Sequence, residues 1–159
     1  MIVISITANS TKKAIANISE AEKYADVVEI RADYIPDLDL KKLIAAAKKQ
    51  VIVTFRKYDE GGVLQTHENE RIEILKEAIK HGAGFIDVEY SSGVETVKEL
   101  KKIKGKTKII LSYHNFKETP ANLERIYSEM KSVGCEFVKI VTFANNVCDN
   151  LKIFDLLKN

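Results

Sequence analysis

The chain has 159 residues, a length that suits one domain. Its 25 basic and 23 acidic residues leave a formal net charge of +2, so charge gives no reason to expect binding to nucleic acid or an anionic membrane. A hydrophobic content of 45% excludes intrinsic disorder. No signal peptide pattern or membrane-length apolar run stands out, and the two cysteines are too few for a disulfide framework. We therefore expect a cytoplasmic protein.

Short β-branched runs alternate with helical segments along the chain. The spacing of apolar residues predicts helices such as Glu70–His81 and Asn146–Leu157, and Thr119 and Pro120 predict the start of another helix over Ala121–Met130. The predicted strands are Ile2–Thr7, Val27–Asp33, Val51–Arg56, Phe85–Tyr90, Lys108–His114 and Phe137–Phe143. This alternation predicts a parallel α/β sheet covered by helices, in one domain over residues 1–159.

Polar side chains recur in one phase along the predicted strands. Residues of equal parity share a face of a strand, and Glu29 and Arg31 oppose the apolar Val28 and Ile30. The same phase on later strands holds Arg56, Asp87, Glu89, Ser112, His114 and Lys139. Projection into solvent at a strand end would explain one such residue, but it is a poor explanation for successive strands. A barrel places them all at an inner polar mouth, where barrel enzymes keep their chemistry.

Two of these residues suggest covalent and proton-transfer chemistry. Lys139 lies between apolar residues in FVKIVTF, and a desolvated amine is a nucleophile that can form an imine with a ketone. The alternative is a lysine that extends to solvent from an edge strand. His114 is the natural general acid and base, although an isolated histidine is more often structural. Glu89, one strand earlier in the same phase, is expected to orient the imidazole.

The motifs that carry these residues resemble those of a known family. VEIRADY, IVTFRKYDEGG, FIDVEY, ILSYHNFKETP and FVKIVTFA are similar, in order and spacing, to successive strand motifs of type I 3-dehydroquinate dehydratase. The resemblance is collinear from Met1 to about Asn159. It implies a (β/α)₈ TIM barrel, here truncated to six β/α units, and a lyase of the shikimate pathway that needs no cofactor or metal.

The resemblance also implies a role for each matching residue. Lys139 would form a Schiff base with the ketone of 3-dehydroquinate, and His114 would remove the neighbouring proton and protonate the departing hydroxyl in a syn elimination. Glu89 would orient His114. The residues implied to contact the substrate are Glu29, Arg31, Arg56 and Glu60, of which Glu60 could instead be an acid that supports its turn.

The sequence departs from the family pattern after the sixth unit. The family continues through two more units, and the arginine that holds the substrate carboxylate has no counterpart here. Open strand edges favour pairing with another chain, so we expect a homodimer or a larger assembly. The alternatives are a truncated barrel with weak or no activity that acts as a folding or assembly unit, or another Schiff-base barrel lyase or aldolase.

Overall fold

A computed structural model describes residues 1–158, so Asn159, the last residue of the predicted domain, lies outside the described residues. Six parallel strands form one sheet in sequence order. The strands are β1 (Val3–Ile6), β2 (Val27–Arg31), β3 (Gln50–Thr54), β4 (Phe85–Glu89), β5 (Lys108–Asn115) and β6 (Phe137–Thr142). The helices are α1 (Thr11–Ala21), α2 (Leu40–Ala46), α3 (Glu68–Lys80), α4 (Val94–Ile103), α5 (Leu123–Ser132) and α6 (Val147–Leu156). The predicted parallel α/β arrangement is confirmed.

Some predicted boundaries are wrong for identifiable reasons. The second strand ends at Arg31, because Ala32–Tyr34 forms a short 3₁₀ turn. Helix α5 begins at Leu123, and Thr119 does not cap it. The Thr119 hydroxyl instead lies 2.9 Å from the hydroxyl of Thr142 and donates to the Phe143 carbonyl at 3.1 Å, so it ties the loop before α5 to the end of β6.

The face of the sheet that is covered by helices supplies the hydrophobic core. Alternate residues of the strands point to this face, where they meet the apolar sides of the helices. Its fully buried members include Val28, Ile30, Val53, Ile86, Val88, Ile109 and Leu111 from the strands and Ile18, Leu43, Leu75, Leu100 and Met130 from the helices. No helix within residues 1–158 has both the length and the apolar content to cross a membrane.

The sheet is strongly curved, and this curvature creates the inner face. Strands β2 and β6 are four positions apart in the sheet, which is about 19 Å in a flat sheet with strands about 4.8 Å apart. Yet the Lys139 Nζ on β6 lies 3.8 Å from the Glu29 Oε1 on β2. The six strands therefore form the wall of a half-barrel, as expected for a barrel truncated to six units. Within residues 1–158, the outer edges of β1 and β6 pair with no other strand.

Candidate active site

The polar residues predicted to share a phase do meet on the inner face of the half-barrel. A small apolar cluster of Val27, Ile52 and Phe85 lies on this face, towards the amino ends of the strands. Beyond it the face is polar. A cavity of about 380 Å³ reaches both zones and is lined by Met1, Val3, Ser5, Glu29, Ile52, Asp87, Ile110, Phe137, Val138 and Lys139.

Lys139 projects into this cavity between two carboxylates. Its Nζ donates to Asp87 Oδ2 at 3.1 Å and lies 3.8 Å from Glu29 Oε1, and its side chain is 37% exposed. The flanking Val138 and Ile140 pack against the helix-covered core, because neighbouring residues of a strand point to opposite faces. The amine is therefore not enclosed by apolar groups, as its sequence neighbours suggested, but paired with acids and open to the cavity.

Asp87 is the buried centre of the site. It accepts two hydrogen bonds from the Arg56 guanidinium, at 3.0 and 2.8 Å, and one from the Ser112 hydroxyl at 2.6 Å. Burial alone would raise the pKa of the Asp87 carboxyl, but the positive charges of Arg56 and Lys139 and these hydrogen bonds outweigh it and hold the pKa below its usual range. Asp87 is thus a buried carboxylate in its ionised form.

Arg56 links Asp87 to Glu89. Besides its two contacts with Asp87, the guanidinium donates to Glu89 Oε1 at 2.9 Å and to the Ser112 hydroxyl at 2.8 Å. Burial lowers the pKa of Arg56, and the charges of Asp87 and Glu89 more than offset this, so the pKa lies above its ordinary value. Arg56, a predicted substrate contact, is only 3% exposed, and its guanidinium already donates to Asp87, Glu89 and Ser112.

His114 pairs with Glu60 and not with Glu89, which corrects the sequence-based assignment. Glu60 Oε2 accepts from the backbone N–H of His114 at 3.1 Å and lies 3.1 Å from its ring Nδ1. Glu89 is turned away from the imidazole because Arg56, Arg71 and the backbone N–H of Lys57 hold its carboxylate. Strand phase could not predict this pairing, since Glu60 reaches the imidazole from a turn and not from a strand.

The turn after β3 places Glu60 at the rim of the half-barrel. Gly61 has a φ of +86°, which is unfavourable for residues with a side chain, and a Cβ on Gly62 would lie 2.1 Å from the Arg56 carbonyl oxygen. Burial alone would raise the pKa of Glu60, but hydrogen bonds from His114 and from the Ser91 hydroxyl, the latter at 2.6 Å, lower it. Gly61 and Gly62 thus allow the tight turn that places the Glu60 carboxylate beside His114.

Glu29 and Arg31 lie on β2 beside this cluster. Glu29 accepts hydrogen bonds from the Thr54 hydroxyl at 2.7 Å and from the Ser5 hydroxyl, and it is 8% exposed. Arg31 makes two hydrogen bonds with Asp33, at 2.9 and 2.8 Å, and donates to the Gly61 carbonyl at 3.2 Å. Glu29 therefore lines the inner cavity, and Arg31 contacts the turn that carries Glu60.

Sequence reasoning missed three members of the network. Asp87 and Ser112 share the polar phase, but strand phase does not distinguish them from Glu89 and His114, which lie two residues further along the same strands. Arg71 of α3 is 1% exposed and donates to Glu89. A signal for it existed, since a charged residue four positions before the buried Leu75 lies on the apolar side of the helix.

Comparison with known proteins matches nearly the whole chain to one protein family. The family model for type I 3-dehydroquinase matches residues 2–159. A 3-dehydroquinate dehydratase from Methanococcus vannielii is 42% identical over 160 residues, which cover 99% of this chain and 73% of that protein. A 3-dehydroquinate dehydratase from Pyrococcus abyssi is 36% identical, with 98% of this chain and 73% of that protein covered.

Solved structures agree on the fold. A type I 3-dehydroquinate dehydratase from Clostridium difficile, with covalently modified comenic acid, superposes with a TM-score of 0.88 at 26% identity and covers 97% of this chain and 67% of that one. A 3-hexulose-6-phosphate synthase superposes with a TM-score of 0.60 at 22% identity over 87% of this chain and 63% of that one, a likeness in fold alone. The half-barrel is therefore shared with proteins built from β/α units.

The lowered pKa of Asp87 predicts a specific acid sensitivity. Its ionised form contributes stability that is fully present above the pKa of an unfolded aspartate, about 3.9, and is lost as the pH falls through the lower folded pKa. Asp87→Asn should lower the free energy of unfolding near neutral pH by about 3–5 kcal/mol, because Arg56 loses one of its two buried carboxylate partners and Lys139 loses its nearest carboxylate. It should also make the free energy of unfolding fall less steeply below about pH 4.

Urea denaturation from pH 3 to pH 7 measures both effects. Glu95→Gln is the matched control, because Lys98 lowers the pKa of Glu95 on the exposed surface, where water and salt screen the pair. An Asp87→Asn variant with the acid dependence of the unsubstituted protein would contradict the assignment.

Proposed function

The chain belongs to the type I 3-dehydroquinase family, and we propose that it catalyses the dehydration of 3-dehydroquinate to 3-dehydroshikimate through an imine on Lys139. The observation that carries this proposal is the position of the Lys139 amine, which is open to the inner cavity and held by Asp87 at 3.1 Å. An amine so placed can attack a ketone that enters the cavity.

The chemistry balances with the side chains present. The Lys139 amine adds to the ketone and water leaves, which gives a protonated imine. This cation withdraws electrons, so the neighbouring C–H becomes acidic enough for the His114 imidazole to take its proton. The C–H electrons form the new double bond, the hydroxyl on the next carbon leaves with a proton from His114, and hydrolysis of the imine releases the product and the free amine.

The strand register supports imine formation by Lys139 and proton transfer by His114 on the same bound molecule. Lys139 pairs with Ser112 across β5 and β6, and His114 lies two residues beyond Ser112 on the same face. Two residues of a strand span about 6.6 Å, so a small ring can contact both side chains at once. Glu60 fixes the imidazole, and its carboxylate compensates the positive charge that His114 gains on taking a proton.

The remaining site residues divide into direct contacts and supports. We assign Glu29 and Arg31 to substrate hydroxyl and ring contacts, because both lie on the inner face beside the cavity or its rim. Arg56 and Glu89 support the site, because they bind each other within the protein. Arg56 also binds Asp87, and Glu89 also accepts from Arg71. In this proposal Arg56 acts on the substrate only through Asp87 and Lys139.

We also propose that residues 1–159 form one incomplete barrel domain that associates with itself in the cytoplasm. Both cysteines are unpaired, which suits a reducing compartment. A groove of about 480 Å³ runs between α5, β6 and α6, and it is lined by apolar residues such as Val138, Ile140, Ile153 and Leu156. Further apolar side chains are exposed on α6 at Val147, Leu151 and Phe154, and directly after it at Leu157. A second copy of the chain would cover this surface and the open β6 edge.

Borohydride trapping tests the imine. Incubation with 3-dehydroquinate and borohydride should add one reduced ligand to Lys139, because reduction converts the imine to a stable secondary amine. Intact mass and peptide mapping locate the label. Lys139→Met should remain unlabelled while Lys152→Met, a substitution of an α6 lysine that pairs with Asp149, should be labelled normally. Labelling of a different lysine, or none in a folded chain, would reject the proposal and favour an inactive truncated barrel.

Separation of imine formation from proton transfer tests His114. His114→Ala should still form the trapped imine but lose turnover by about 10²–10⁴-fold, because the proton carrier is gone. Glu60→Gln should lose less, since the imidazole stays and only its orientation and charge compensation suffer. Steady-state kinetics beside the trapping assay measures both. Near-normal turnover in His114→Ala would show that another base operates.

Measurement of molar mass in solution tests the association. Sedimentation equilibrium should give a dimer or a larger species, and Phe154→Lys, which puts a charge on the apolar surface of α6, should shift it towards monomer. Phe154 is 57% exposed. The control is Tyr24→Lys, at a 70% exposed side chain outside this surface, which should leave the mass unchanged. A monomeric unsubstituted chain at all concentrations would contradict self-association.

A further inference from the structure

Arg71 is a buried arginine that the proposed reaction does not use. It lies on the sheet-facing side of α3 and is 1% exposed. Its Nε donates to the Phe55 carbonyl at 3.1 Å, its Nη1 to Glu68 Oε2 at 2.6 Å and its Nη2 to Glu89 Oε2. Burial of a guanidinium costs free energy that apolar packing would not, so its presence calls for an explanation.

The contacts of Arg71 connect α3 to the reactive amine through alternating charges. Glu89 lies between Arg71 and Arg56, and Asp87 lies between Arg56 and Lys139. The chain of contacts is therefore cation, anion, cation, anion, amine. Phe55, whose carbonyl Arg71 binds, directly precedes Arg56, so Arg71 also fixes the backbone from which Arg56 projects.

We propose that Arg71 is a positioning residue for Lys139, which it serves by holding Glu89 so that Arg56 keeps its two-point contact with Asp87. The inference rests on the proposed function in that it takes Lys139 as the imine-forming residue. Arg71 itself touches neither the cavity nor the amine.

Loss of Arg71 has two physical consequences. Glu89, which is fully buried, keeps Arg56 as its cationic partner, so the guanidinium is drawn towards Glu89 and away from Asp87. The network also becomes one unit more negative, which favours the protonated form of the amine beside Asp87. Imine formation needs the neutral amine, so it should then require a higher pH.

All charged groups around this network enter that balance. Lys139 faces Glu29 from β2 and Asp87 from β4. The charges of Asp87, Glu89 and Glu29 act on Arg56, and Arg56 in turn acts on Arg31, which pairs with Asp33. Arg71 faces Glu68 on its own helix and Glu89 across the sheet. At the rim, Glu60 faces His114. Among these groups, Arg71 is the cation that lies on α3.

The test compares the unsubstituted protein with Arg71→Met, Arg71→Lys and the double variant Arg71→Met/Glu89→Gln. The rate of borohydride trapping is measured from pH 6 to pH 10. Arg71→Met should move the half-maximal pH upward by about half a unit to one unit, so trapping below that pH slows about three- to tenfold. Arg71→Lys keeps the charge and should restore most of the rate. The double variant removes one charge of each sign and should return the half-maximal pH towards that of the unsubstituted protein.

A merely structural arginine would lower thermal stability without moving the pH profile, and an unchanged half-maximal pH in Arg71→Met would overturn the inference. Arg125→Met is the matched control, because Arg125 pairs with Glu129 on the exposed side of α5. If Arg71→Met does not fold, Arg71→Gln retains a donor for the Phe55 carbonyl and carries the same prediction.

A second readout separates this inference from the proposed function. ¹³C NMR of protein labelled at lysine Cε follows the titration of the Lys139 amine directly, with the signal assigned by its loss in Lys139→Met. An upward move of the titration in Arg71→Met supports the positioning role even if no imine is trapped, and that absence would count against the proposed function alone. An unmoved titration overturns the positioning role even if trapping succeeds.

Discussion

The contact between Asp87 and Arg56 is the interaction on which the inner face of the half-barrel depends. Both groups are removed from water, and either one alone would be a costly buried charge. Two parallel hydrogen bonds fix their relative orientation. Once they are fixed, Asp87 can hold the Lys139 amine from one side and Arg56 can hold Glu89 from the other.

The curvature of the sheet makes this arrangement possible. In a flat parallel sheet the residues of β2, β4 and β6 would be too far apart to meet, and charges on a covered face would lack partners. The alternation of strand residues sends the apolar set to the helices and the polar set inward, so one sequence pattern provides both the core and the reactive face. Arg71 shows that the helices also contribute charge to the inner network, because it binds both the Phe55 carbonyl and Glu89.

Much of the fold and part of the site could be predicted from the sequence, because both follow from strand periodicity. Strand phase alone predicts that Glu29, Arg56, Glu89 and Lys139 share one face, because that prediction does not depend on the conformation of the loops. Pairings that depend on turns or helices were not predictable in this way. Glu60 reaches His114 only because Gly61 and Gly62 allow the turn after β3.

The residues beside Lys139 in sequence, in contrast to the strand periodicity, predict a wrong environment for the reactive amine. The apolar neighbours of Lys139 in sequence suggested a desolvated group, but those neighbours point to the opposite face. The distances from the Lys139 amine to the Glu29 and Asp87 carboxylates depend on the curvature of the sheet, which a periodic sequence pattern does not encode. Thr119 is a similar case, because its hydroxyl binds the end of β6 and not the helix that follows it.

The most direct test of the account is a double-mutant cycle between Asp87 and Lys139. The free energy of unfolding in urea is measured for the unsubstituted protein, Asp87→Asn, Lys139→Met and the double variant. If the curved sheet brings these side chains together, the effects should be non-additive, with a coupling energy of about 0.5–3 kcal/mol. Additivity to better than about 0.5 kcal/mol would mean that the two side chains do not interact in solution, and it would contradict the account.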